Sequence, residues 1–258
     1  MDSSEAQTLI DILAADKGIV ALVGAGGKKS TLHRLANAHR AIGTPRVALA
    51  ATVQTAAPPK SLGVETLTID GNVDAAIEQA RSHDGPFLFA GPPTKPGRFG
   101  GLPEQQIDEL HRRAALDVSM VKADGARMRM IKAPNDREPA LPKGTTTVLP
   151  VVSARVFGRP LNAKLVHRPE RLIDILDVDI GTNLTPLHIA KLLTSRKGAL
   201  RRTSGIPVVP IINMVDNAER LERSKEAASM ALAMTEDFDR VVLASMISES
   251  PLVDVVMG

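Results

Sequence analysis

Residues 17–35 read KGIVALVGAGGKKSTLHRL, and the fold turns on how this stretch is read. A short apolar strand, Ile19 to Val23, runs into Gly24-Ala25-Gly26-Gly27, then Lys28-Lys29-Ser30-Thr31, then an amphipathic helix. Such a turn gathers bare backbone N–H groups at a helix N-terminus, a combination that attracts phosphate. Glycines let the backbone approach an anion, and Lys28 at the end of the loop adds a full positive charge. The pattern departs from G-x-x-x-x-G-K-[ST]. Leu22 stands where the first glycine belongs, and Lys29 stands where a magnesium-binding hydroxyl belongs; Ser30 and Thr31 follow late. Two readings stay open: a nucleotide-phosphate site, and a glycine-rich turn that only lets the helix pack on its sheet.

Around this loop, apolar strands alternate with helical patterns. Strands are expected at Arg46–Ala51, Val64–Ile69, Phe87–Ala90 and Val118–Ala123. Helices are expected at about Lys29–Ala41, Val73–Ser82 and Glu104–Ala114. The alternation predicts a doubly wound, mostly parallel α/β sheet of P-loop NTPase type with right-handed crossovers. The segment GPPTKPGRFGGLP (91–103) is expected to be irregular. From about 125 to 205, prolines punctuate short segments around one strand, Thr146–Val152, and two short helices, Arg168–Ile175 and Leu187–Leu193. This region reads as an insertion or lid within one domain spanning 1–258. Strands Pro207–Ile212 and Arg240–Ala244, with the helix Ala218–Met234 between them, complete the pattern.

Composition narrows the function classes. The 258 residues include five Phe, no Trp and no Tyr, which argues against a stacking platform for nucleic acid. A net charge of +3 with scattered cations favours small anionic ligands over a nucleic-acid groove. The absence of cysteine excludes disulfides, iron–sulfur clusters and thiolate zinc sites. The N-terminus reads as an amphipathic helix rather than a signal peptide, and no apolar run suits a membrane span. The expected location is the cytoplasm, with no nucleic-acid or membrane partner.

Further clues lie at other strand ends. Asp124-Gly125 follows Val118–Ala123, at the carboxyl end where NTPases place a partner for Mg²⁺ or water; an Asp-Gly turn is the plain alternative. Arg127, Arg129 and Lys132 make a dense cationic loop suited to an anion, or a solvated one. Asn213-Met214-Val215-Asp216 resembles the guanine-reading N-K-x-D pattern with Met for Lys. There a carboxylate accepts from guanine N1–H and the 2-amino group, which adenine lacks; a helix start before Ala218 is the alternative. His167, in His167-Arg168-Pro169-Glu170, is more simply a structural histidine than a base or ligand. No G-x-S-x-G elbow supports hydrolase chemistry of the Ser-His-Asp kind.

Several unusual segments recur in order: Gly24–Thr31, Ala90-Gly91-Pro92, Gly100-Gly101-Leu102, Ala123-Asp124-Gly125-Ala126-Arg127 and Lys132-Ala133-Pro134. Glu138-Pro139, Pro142, Gly158-Arg159-Pro160-Leu161, Val166–Glu170, Leu184-Thr185-Pro186 and Asn213–Asp216 continue the series. Together they resemble the YqeC family, accessory proteins of selenium-dependent molybdenum hydroxylases. The resemblance implies a P-loop nucleotide-binding protein acting in maturation of a molybdenum–selenium cofactor. This chain departs from the family at Lys122, where an acidic residue is usual. Lys29 likewise replaces a hydroxyl, Met214 a lysine and Arg137 a histidine.

The combined expectation assigns phosphate contacts to Gly24, Ala25, Gly26, Gly27, Lys28, Lys29, Ser30 and Thr31, with Lys28 and Asp124 as catalytic groups. Mg²⁺ would accompany GTP or ATP on Ser30 and Asp124, and Asn213 and Asp216 would read the base. Arg127, Arg129, Lys132, His167 and Arg168 would meet a second anion, such as a pterin cofactor phosphate or a molybdenum hydroxylase. The rival expectation is a nucleotide-dependent chaperone or binding module with little hydrolysis.

Overall fold

In a computed structural model that describes Met1–Gly258, the chain forms two compact units. The first comprises Met1–Leu22, Thr31–Asp124 and Ala140–Thr147; the second comprises Val23–Ser30, Gly125–Pro139 and Val148–Gly258. The residues expected as an insertion thus divide between the units, and most fall with the glycine loop and the C-terminal strands.

In the first unit, the strand Gly18–Gly24 contributes Gly18–Leu22, paired in parallel with Val118–Lys122. Val118–Lys122 also pairs with Val47–Ala51, which pairs with Phe87–Ala90, and Glu65–Thr68 lies outermost. All these pairings are parallel, as the sequence alternation predicts. Near-continuous apolar runs suit strands covered on both faces, and Ile19–Val23 and Val47–Ala51 are buried throughout. A cluster built on Phe87, Phe89, Ile77, Ile107 and Leu110 fills one side, with the two phenylalanine rings edge to face at 5.0 Å. The helix Val73–Ser82 begins where Asn72 accepts from the Ala75 N–H.

Segment 91–103 corrects the expectation of irregularity. Pro93–Lys95 and Arg98–Phe99 form an antiparallel hairpin, extended by Thr55–Ala56. Pro96 presets its φ, and Gly97 at φ +68° meets the positive-φ demand of a tight turn.

In the second unit, Val148–Ser153 (the end of the strand Thr145–Ser153), Ile211–Asn213 and Arg240–Ala244 run parallel. An unexpected last strand, Leu252–Met257, adds antiparallel at the edge. The strand expected from Pro207 makes a single parallel bridge, Val208 to Val148, and joins the continuous ladder from Ile211; Pro207 and Pro210 carry no N–H to give. The register sets Ser153, Asn213 and Ala244 side by side at the carboxyl ends of three strands. A second unpredicted feature is the short parallel pair Ile131–Lys132 with Val166–His167. The helix Ala218–Met234 starts where the Asn217 side chain accepts from the Arg220 N–H. No helix is long and apolar enough to cross a membrane.

Candidate functional site

The glycine loop lies in the second unit, against the strand ends just described. Gly24, Gly26 and Gly27 have φ of +86°, +88° and +130°, conformations that L side chains rarely adopt. The Ala25 N–H donates to the Val151 carbonyl at 2.8 Å. A Cβ on Gly26 would lie 2.6 Å from the Met130 carbonyl oxygen and the Ser153 nitrogen; one on Gly27 would strike the Asn213 amide. The loop is therefore glycine-bound by packing as well as by φ. The helix Lys28–Ala41 follows at once. Lys28 is buried, and its Nζ folds back to donate to the Gly24 carbonyl across the loop. Lys29 is exposed, Ser30 half-buried and Thr31 fully buried.

Asn213 ties this loop to two neighbours. Its Nδ2 donates to the Gly26 carbonyl at 3.0 Å, and its Oδ1 accepts from the Met246 N–H at 3.1 Å. Buried between them, the Asn213 amide anchors backbone on both sides through one N–H and one oxygen lone pair. Met214 takes a left-handed φ of +64° and its Sδ accepts from Ser153 Oγ at 3.1 Å. Asp216 differs from an open base reader. Its Oδ2 accepts from Arg155 at 2.9 Å and Arg220 at 3.1 Å, and its Oδ1 from Ser245 Oγ at 2.9 Å. Partial burial alone would raise the Asp216 pKa, but the hydrogen bonds from Arg155 and Ser245 and the Arg155 and Arg220 charges hold it below the usual carboxylate value.

The cations expected to meet a second anion separate into two groups. Lys132 and Arg168 already meet one, the chain's own Glu138. Lys132 Nζ donates to Glu138 Oε2 and to the Gly125 carbonyl, each at 2.7 Å. Arg168 forks onto both Glu138 oxygens at 2.7 and 3.2 Å. This internal ion cluster replaces the expected open site at those two residues. Arg171 grips Asp136 with two hydrogen bonds, while Arg201 and Arg202 donate to the carbonyls of Asp136, Glu138, Arg137 and Pro139. The result is a strap, 135–139, fastened from several sides. Arg127 remains exposed and Arg129 half-buried on a loop where Arg127 and Met128 both take left-handed φ, +45° and +59°.

His167 sits beside this cluster with its pKa lowered to about 4, first by burial and then by the Arg168 and Lys132 charges. It is therefore neutral at pH 7. Between pH 6.5 and about 4 the unfolded chain takes up a proton at this position that the folded chain refuses, so stability falls as pH drops through that window. Urea unfolding at pH 7 and pH 5 should show a larger loss for the unmodified protein than for His167→Gln. Equal losses would show that His167 contributes nothing to acid sensitivity.

Asp124 follows the strand Val118–Lys122 in the first unit and is buried. Lys122, where the family has an acidic residue, directs its Nζ to the Gln54 carbonyl at 3.0 Å. Sequence reasoning missed Ser153, Arg155 and the role of Glu138. Its one available signal was the crowding of Lys132, Arg137 and Glu138 into seven residues.

Comparison with known proteins places the chain. The family model described as YqeC protein matches residues 20–170, more than half of its length, and the chain belongs to that family. A relative described as "Uncharacterized protein YqeC", from Escherichia coli (strain K12), is 29% identical over 204 residues, covering 78% of this chain and 77% of that one. Among solved structures, hydrogenase maturation factor HypB from Archaeoglobus fulgidus aligns with a TM-score of 0.40 and 12% identity, covering 94% of this chain and 89% of that one. FlhF complexed with GTP/Mg(2+) aligns with a TM-score of 0.41 and 12% identity, covering 98% of this chain and 77% of that one.

Proposed function

We propose that this member of the YqeC family binds a nucleoside triphosphate, GTP or ATP, with its phosphates on the loop Gly24–Ser30. The observation that carries the reading is the loop itself: three left-handed glycines open onto the start of a 14-residue helix, with a buried lysine folded over them. Backbone amides and the helix dipole favour an anion there. Lys28, now donating to the loop's own carbonyl, supplies the charge a phosphate needs when it exchanges that carbonyl for a phosphate oxygen. Mg²⁺ would neutralise phosphate charge, and the oxygens assigned to it by sequence position, the Ser30 hydroxyl and the Asp124 carboxylate, are the hard donors it takes.

The family resemblance supports the accessory role in this reading: nucleotide-driven maturation of a selenium- and molybdenum-dependent hydroxylase in the cytoplasm. Arg127 and Arg129 offer cations for that client protein or for the phosphate of its pterin cofactor. A second reading, nucleotide binding with little hydrolysis, draws support from Lys29, exposed where a hydroxyl is usual, and from Lys122 in place of an acid.

Phosphate release separates the two. With Mg²⁺ and GTP or ATP, the hydrolytic reading expects release that disappears in Lys28→Ala and weakens in Asp124→Asn. Nucleotide binding without release supports the binding module, and release that survives Lys28→Ala overturns the assignment of this loop.

A further inference from the structure

We infer that Arg155 sets the base selectivity of the nucleotide site by holding the Asp216 carboxylate closed, an inference that rests on a nucleotide binding at the glycine loop. Guanine presents two adjacent donors, N1–H and the 2-amino group, and a carboxylate reads both by giving one oxygen to each. A carboxylate has about four acceptor positions, two on each oxygen. In Asp216, Oδ2 has both filled, by Arg155 and Arg220, and Oδ1 has one filled, by Ser245. One position is left, on a single oxygen. Guanine cannot dock on both oxygens until one arginine departs.

The two arginines differ in their freedom to leave. Arg220 sits four residues after Asp216, in the first turn of the helix Ala218–Met234, and its backbone N–H is held by the Asn217 cap. Arg155 comes from the one-turn helix Ala154–Val156, and its side chain is 42% exposed, so water can receive it. It is also well placed to report on the loop. The Arg155 N–H donates to Ser153 Oγ at 3.1 Å, and the Ser153 N–H donates to the Met130 carbonyl against which Gly26 packs. Asn213, three residues before Asp216, holds the Gly26 carbonyl. Arg155 and the carboxylate it covers therefore stand just past the two strand ends, at Ser153 and Asn213, that pack against the phosphate loop.

With Arg155 in place, guanine and adenine nucleotides meet the same closed carboxylate and bind alike. Without it, Asp216 keeps one arginine and one hydroxyl, and both oxygens have room for guanine. Hydrogen bonds to a charged group differ enough from their absence to give about ten- to hundredfold discrimination.

Calorimetric titration with GTP, ATP and XTP tests this on the full chain and on Arg155→Ala, Arg155→Gln and Arg155→Ala/Asp216→Asn. The glutamine variant carries the test should the alanine variant fold poorly. The unmodified protein should bind GTP and ATP within about threefold. Either single variant should favour GTP over ATP by tenfold or more, and the double variant should lose that preference and gain XTP, whose 2-oxo group accepts from the new amide. A purely structural Arg155 would weaken all three nucleotides together and leave their ratios fixed, which overturns the inference. A tenfold GTP preference already present in the unmodified protein also overturns it. If no nucleotide binds any of the proteins, the phosphate-site reading itself fails, and the inference with it.

Discussion

Replacing Glu138 with alanine should lower folding stability by about 3–5 kcal/mol, the range expected when one partner of a buried ion cluster is removed. The Lys132 side chain is 1% exposed, and Arg168 is mostly covered. Both direct hydrogen bonds to Glu138 Oε2 at 2.7 Å. Without the carboxylate, two largely covered cations face each other across the space it filled, Lys132 beside the Gly125 carbonyl and Arg168 beside the Ala133 carbonyl. Glu138→Gln keeps the acceptor oxygen and loses the charge, so its loss should be smaller. Urea unfolding at pH 7 measures both. A change below about 1 kcal/mol for Glu138→Ala would show that water reaches the cluster and that the strap 135–139 is held by its other contacts.

Gly27→Ala should disable the loop and cost stability as well. Gly27 sits at φ +130°, and an alanine Cβ would fall on Asn213 Nδ2. The collision cannot be relieved cheaply, because that nitrogen donates to the Gly26 carbonyl and the same amide accepts from the Met246 N–H. Backbone strain of about 1–3 kcal/mol adds to a buried hydrogen bond left unmade, itself about 1–3 kcal/mol. A loss of about 2–6 kcal/mol and the disappearance of nucleotide binding are expected in calorimetry and denaturant unfolding. Wild-type affinity in a stable Gly27→Ala protein would mean that nucleotide does not use this turn.

Much of the scaffold is legible in the sequence. The helices Val73–Ser82 and Ala218–Met234 and the strands Phe87–Ala90 and Arg240–Ala244 appear where their apolar periods and caps put them. Short-range chemistry marks those ends: Asn72 and Asn217 each accept from a backbone N–H three residues on. The edge strand Leu252–Met257 is harder to read, since its residues are half-exposed and lack a clean alternation. The hairpin 93–99 hides behind the same prolines and glycines that mark an irregular loop. In the site, the glycine run announces itself, while the pairing of charges does not. Arg168 meets Glu138 from 30 residues away and Arg155 meets Asp216 from 61. A scan along the chain sees cations suited to an anion; only the folded chain shows that the anion for Lys132, Arg155 and Arg168 is internal.

The phosphate-loop account is tested most directly by the melting temperature of the unmodified protein and of Lys28→Ala, each with and without Mg²⁺ and GTP or ATP. At a nucleotide concentration near 100 times Kd, binding adds about 2.7 kcal/mol, which for a chain of this size is a rise of roughly 5–10 °C. The account predicts that rise in the unmodified protein and none in Lys28→Ala at the same concentration. An unmoved melting temperature with every nucleotide, or an equal rise in both proteins, would contradict it.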